Sequence, residues 1–226
     1  MPIRTAATAR TLHAVLFDMD GTLVDTEDLW RHAVEREAEL LGLVLGEADQ
    51  PHILGRPVEH TADHLHRASG TERSPASVAT ELDRRFTDLV QARVVPLPGA
   101  LELLDAVRAA GLRTALVSAS PRNVVDIVLE ALGRDRFSVS FAAGETERTK
   151  PAPDPYLAAV AALGLGPESC VAVEDTPVGV ASAEAAGCAV VAVPSAAAIT
   201  AGPGRVVVGS LLDVDLPLLR TLIAER

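Results

Sequence analysis

Phe17-Asp18-Met19-Asp20-Gly21-Thr22-Leu23, directly after the apolar run Ala14-Val15-Leu16, is the stretch on which the reading of this chain turns. A short continuous apolar run of this kind predicts a strand buried on both faces of a parallel sheet. Such a strand delivers Asp18 and Asp20 to its carboxyl end, where open α/β sheets bind their ligands. Gly21 then lets the chain turn away sharply.

Working outward, residues from about 27 to 93 read as helical and polar. Glu27–Leu41 repeats apolar residues at helical spacing (Leu29, Ala33, Val34, Ala38, Leu41) and stops at Gly42. Val58–Ala68, after Pro57, predicts a second helix, and Ser77–Arg93 a third. Val94-Val95-Pro96-Leu97-Pro98-Gly99 is a stiff linker before a helix at Ala100–Ala110. From Gly111 strands and helices alternate. Leu112–Val117, Val139–Ala143, Cys170–Val173, Ala189–Val193 and Arg205–Val208 read as strands. Asn123–Leu132, Asp154–Leu163, Val178–Ala186 and Pro217–Ala224 read as helices. This order predicts an α/β fold, a three-layer doubly wound parallel sheet, with an α-helical insert after the first strand. The expected division is 1–24 core, 25–94 helical cap and 95–226 core.

Composition narrows the function. Length suffices for one sizeable core plus a smaller module. A formal charge of −11 excludes broad nucleic-acid or anionic-membrane binding. No apolar stretch approaches the ~20 residues of a membrane span. Met1–Thr11 carries Arg4 and Arg10 without an apolar segment, which predicts a frayed tail rather than a secretory signal. Cys170 and Cys188 each open an apolar run and read as buried thiols, so a cytoplasmic location is expected. The chain has nineteen arginines and one lysine, Lys150. An ammonium is a compact point charge and a guanidinium a planar fork, so a tight anion pocket can require lysine specifically.

Four groups fall at predicted strand ends or in the loops beyond them: Asp18 with Asp20; Ser118 in Ser118-Ala119-Ser120; Glu174 with Asp175; and Lys150, in a loop stiffened by Pro151, Pro153 and Pro155. A parallel sheet gathers strand ends into one crevice. Two neighbouring carboxylates with separate tasks, one attacking and one moving a proton, suit covalent phosphoryl transfer.

These motifs, in this order, resemble those of the haloacid dehalogenase superfamily, in particular its phosphatase-type members with a helical (C1) cap, such as phosphoglycolate phosphatase and β-phosphoglucomutase-like proteins. The resemblance implies Asp18 as nucleophile and Asp20 as general acid and base. It implies Mg²⁺ held by Asp18, Asp175 and the carbonyl of Asp20, with Glu174 bound directly or through water. Ser118, Lys150 and the backbone N–H groups near Met19 and Ala119 would receive the phosphate. The implied substrate is a small phosphomonoester: a sugar phosphate, a polyol phosphate or phosphoglycolate. The protein would be a monomer or homodimer.

Departures from the pattern prune the alternatives. Phosphonate-cleaving members use a cap lysine, and this cap has none. Mutases of the β-phosphoglucomutase type carry a cap lysine and a hinge histidine, where this chain offers Leu54 and Trp30. True dehalogenases lack the second aspartate. A non-catalytic binding protein on the same fold would have lost a nucleophile or metal carboxylate, and every one is present. In the cap, Arg56 of Leu54-Gly55-Arg56-Pro57 reads as a substrate contact or a solvated turn arginine. Trp30 reads as a pocket wall or as cap packing. Glu59, His60, Asp63, His64 and His66 read as a wet helix face rather than a second metal site.

Overall fold

Ala14–Phe17 forms strand β1, every residue of it buried, in the computed structural model, which describes residues 10–53, 56, 58–195 and 197–225. It lies inside an all-parallel sheet with β2 (Arg113–Val117), β3 (Val139–Phe141), β4 (Cys170–Glu174), β5 (Ala189–Ala192) and β6 (Arg205–Val207). The spatial order is β3-β2-β1-β4-β5-β6. Phe17 pairs with Leu116 on one side and Val173 on the other. The chain winds outward from β1 to β3, then returns to β4 and winds the opposite way. The reversal between β1 and β4 is the switch point at which doubly wound sheets place a ligand.

Alternation along each strand supplies two cores. Val15, Phe17, Leu116, Val173 and Val191 face α4 (Ala100–Ala109), α5 (Arg122–Leu132) and α8 (Leu216–Ala224). Leu16, Ala115, Val117, Ala172 and Val190 face α6 (Asp154–Ala162) and α7 (Pro177–Ala185). Burial on both sides is why these strands are continuous apolar runs.

The stretch between β1 and α4 holds α1 (Glu27–Leu40), a 3₁₀ helix (Glu47–His52), α2 (Val58–Ser69) and α3 (Pro75–Arg93). Glu37 of α1 is fully buried and accepts from Arg73 Nη1 at 2.5 Å and Arg85 Nε at 3.0 Å. The outgoing and returning chains run side by side: the Leu97 N–H donates to the Leu23 carbonyl at 2.8 Å, and Val24 bridges to Pro96. Asn123 Nδ2 of α5 donates to Thr87 Oγ1 of α3 at 2.9 Å.

Element ends differ from the sequence expectations by a residue or two, most clearly at α3. That helix starts at Pro75 because the Ser74 hydroxyl caps it, accepting from the Ser77 N–H. The 3₁₀ helix is additional; six residues containing Pro51 carry no helical period. Among the described residues no helix is long and apolar enough to cross a membrane.

Candidate active site

β1 and β4 end side by side. The Asp18 N–H still donates to the Val173 carbonyl at 3.0 Å, so Asp18 leaves the sheet beside Glu174 and Asp175. Lys150 enters from the loop before α6, and its ammonium donates to Asp18 Oδ1 (2.6 Å), Glu174 Oε1 (2.6 Å) and the Val117 carbonyl (2.9 Å). Three acceptors converging on one nitrogen suit an ammonium and not a planar fork. Burial alone would lower the pKa of the ammonium, but the charges of Asp18 and Glu174 outweigh it and hold the lysine above its ordinary value.

Oxygen atoms of Asp18, Glu174 and Asp175 lie within 4.8 Å of one another. Asp175 Oδ2 accepts from Ser195 Oγ at 2.5 Å, whereas Oδ1 is buried with no hydrogen-bond partner among the described residues. Burial first, then the charge of Asp18, push this carboxyl up to about 8. A bare buried carboxylate oxygen among other hard oxygens fits a divalent cation such as Mg²⁺. Glu174 is differently placed: its Oε1 already accepts from Lys150 and from the Tyr156 hydroxyl, the latter at 2.6 Å. Two glycines make room for these carboxylates. At Gly21 (φ 78°) a Cβ would lie 2.3 Å from Asp175 Oδ2, and at Gly179 a Cβ would lie 2.0 Å from Glu174 Oε2.

The Asp20 carboxylate stands apart from these three. Its Oδ1 accepts from Thr26 Oγ1 (2.6 Å), and its Oδ2 from Ser118 Oγ (3.0 Å) and Ser120 Oγ (2.9 Å). Burial, then the nearby charge of Asp18, raise its pKa, and the three hydroxyls only partly counter them. Two carboxylates two residues apart therefore sit in different environments, one beside an ammonium and the other favoured as the acid.

The remaining expected residues are placed as follows. Met19 and Ala119 lie just beyond β1 and β2, the first with its side chain in the core and the second exposed. Trp30 is buried; its indole N–H donates to the Ile53 carbonyl (3.0 Å) and its ring meets Phe86 edge-on at 5.4 Å. Arg56 is exposed and donates to the Pro51 carbonyl at 3.0 Å, while Leu54, Gly55 and Pro57 of its loop lie outside the described residues. Both side chains thus bond within the helical insert. His60 and His64 stack with His52, and His64 Nε2 lies 2.7 Å from Asp49 Oδ1. Sequence reasoning did not assign Thr26, Ser120, Tyr156 or Ser195. Ser120 had a visible signal, one residue from Ala119 in the same loop; the other three had none.

Residues 12–187 match the model of the haloacid dehalogenase-like hydrolases. Protein CbbY of Rhodobacter capsulatus is 36% identical over 195 residues, covering 81% of this chain and 86% of that one. Hexitol phosphatase B of Escherichia coli (strain K12) is 32% identical over 192 residues, covering 84% and 86%. The crystal structure of CbbY from Rhodobacter sphaeroides in complex with phosphate superposes with a TM-score of 0.80 at 26% identity, covering 92% of this chain and 99% of that one. The match spans the strand ends that carry Asp18, Asp20, Ser118, Lys150, Glu174 and Asp175, and the chain belongs to the haloacid dehalogenase-like hydrolases, as a phosphoric monoester hydrolase.

Proposed function

We propose that this enzyme is a Mg²⁺-dependent phosphatase of small phosphorylated carbohydrates, working through an aspartyl-phosphate on Asp18. The observation that carries this reading is the pairing of Asp18, gripped by Lys150 at 2.6 Å, with Asp20, whose pKa burial raises. A carboxylate oxygen of Asp18 attacks phosphorus as the bond to the ester oxygen breaks, and Asp20 gives its proton to that leaving oxygen. Asp20, now a carboxylate, takes a proton from water as the water oxygen attacks the same phosphorus. The bond from phosphorus to Asp18 breaks, and inorganic phosphate leaves. Lys150, Ser118 and the N–H groups of Met19 and Ala119 hold the equatorial oxygens, which requires Lys150 to exchange its contact with Asp18 for one with the phosphate. Asp18 and Asp175, with the Asp20 carbonyl, would hold Mg²⁺, which when bound offsets the like charge of carboxylate and phosphate.

The substrate class follows the relatives, of which hexitol phosphatase B is named for a phosphorylated polyol. Sugar phosphates, polyol phosphates and phosphoglycolate all present one monoester to this crevice. The helical insert would close over the substrate, exclude water and select among them. Phosphate release is to be measured across such a panel with Mg²⁺ and with EDTA. Release that needs Mg²⁺ and favours a phosphorylated carbohydrate is expected; no release from any ester in Mg²⁺ would overturn the proposal.

A further inference from the structure

Tyr156 is the one tyrosine of the chain and lies on α6, fully buried in the core between the sheet and the α6–α7 layer. Phenylalanine would fill the same apolar space, and a buried hydroxyl is costly unless it is partnered. The partner is specific. The hydroxyl donates to Glu174 Oε1 at 2.6 Å, the oxygen that also receives the Lys150 ammonium at 2.6 Å. That ammonium lies 5.1 Å from the centre of the Tyr156 ring, within reach of its π face. Tyr156 therefore contacts both halves of the ion pair.

The other edge of Glu174 is held loosely. Oε2 lies 3.3 Å from the Asp175 N–H and 3.5 Å from Thr176 Oγ1. A carboxylate with one firm edge and one loose edge turns about the firm one. Lys150 cannot supply that firmness alone, because its three donors are shared among Glu174, Asp18 and the Val117 carbonyl. When phosphate replaces Asp18 as an acceptor, the hydroxyl becomes the fixed point of the network.

We propose that Tyr156 is a positioning residue, resting on the phosphatase reading of this site: its hydroxyl fixes Glu174 Oε1, and Glu174 in turn fixes the Lys150 ammonium as it exchanges Asp18 for the phosphate. It touches no reacting atom. Its loss displaces a charge in the transition state rather than removing a substrate contact.

Tyr156→Phe deletes one oxygen, and lysine labelled with ¹⁵N reports one side-chain ammonium in the whole chain. We expect kcat to fall about tenfold with KM changed less than about twofold, and the Lys150 ammonium signal to move. A kcat within about twofold of the parent, or a lower kcat with the ammonium signal unmoved, would overturn the proposal. Should Tyr156→Phe not fold, 3-fluorotyrosine incorporated in the unsubstituted chain gives one ¹⁹F line. That line should move in Glu174→Gln, and a stationary line overturns the proposal. Both spectra are read without turnover, so an inactive parent would sink the phosphatase reading while the Tyr156–Glu174–Lys150 linkage is still decided.

Discussion

Glu37 in the helical insert and Glu174 in the core are both carboxylates without exposed surface, and they are neutralised in different ways. Glu37 spreads its two oxygens over two guanidinium groups, Arg73 before α3 and Arg85 within it, so one side chain staples α1 to both. Those arginines keep 38% and 22% of their side-chain surface in water. Glu174 instead gives one oxygen to an ammonium that is 6% exposed and to a phenol. A guanidinium fork locks a fixed geometry, whereas an ammonium turns among converging acceptors. The first arrangement joins segments. The second keeps a charge where it can change partners, as the phosphoryl transfer proposed on Asp18 requires.

Variants on the two sides should separate into losses of chemistry and losses of stability. The largest effect is expected for Asp18→Asn, with turnover down about 10⁴-fold or more and thermal unfolding preserved; appreciable phosphate release by that variant would remove the nucleophile from the mechanism. Lys150→Arg keeps the charge but not the convergence, and kcat/KM should drop about 100-fold. Steady-state kinetics near the parent value would show that any cation serves. Glu37→Gln should reverse the pattern. Denaturant titration should report a loss of about 2 kcal/mol, below the usual cost of breaking a buried pair because its arginines stay hydrated, with kcat unchanged within about twofold. A kcat loss out of proportion to the folded fraction would erase the distinction between the two glutamates.

The smallest effect per unit change sharpens the core side and concerns pH. Unfolded, Asp175 loses its proton in the usual carboxylate range near pH 4; folded and metal-free, it holds the proton to about 8. Between those values the folded state binds the extra proton, so this group's stabilising contribution falls as pH rises. The slope is below about 1.4 kcal/mol per pH unit, since Lys150 and the neighbouring carboxylates readjust. Melting temperatures at pH 5, 6.5 and 8 are expected to fall without Mg²⁺, and the increment on adding Mg²⁺ to grow. An increment that shrinks across this window would count against Asp175 as a cation ligand.

Much of this was legible from residue order alone, for identifiable reasons. Strands buried on both faces are continuous apolar runs, so Ala14–Phe17, Val171-Ala172-Val173 and Ala189–Ala192 announce themselves. Parallel topology then forces Asp18, Ser118 and Asp175 to one edge, and Lys150 follows them through its stiff loop. What spacing cannot tell is which hydroxyl faces which carboxylate. Thr26 lies at the start of a helix, Ser195 in a loop beyond β5, and Tyr156 reads as an ordinary core aromatic, yet they bond Asp20, Asp175 and Glu174. Trp30 fitted two roles at the level of sequence, cap packing the favoured one. Only the fold supplied Ile53 and Phe86 as its neighbours, one turning up at the end of an irregular connection and the other on α3.

The lone lysine has a consequence for chemical durability. Reducing sugars and their phosphates condense with unprotonated primary amines, and lysine is the side chain that ordinarily offers one. This chain meets its surroundings with guanidinium groups, while its one lysine lies between two carboxylates that keep it an ammonium, the form that does not condense. Among the sugar phosphates proposed as its substrates, the enzyme would present no side-chain amine to glycate.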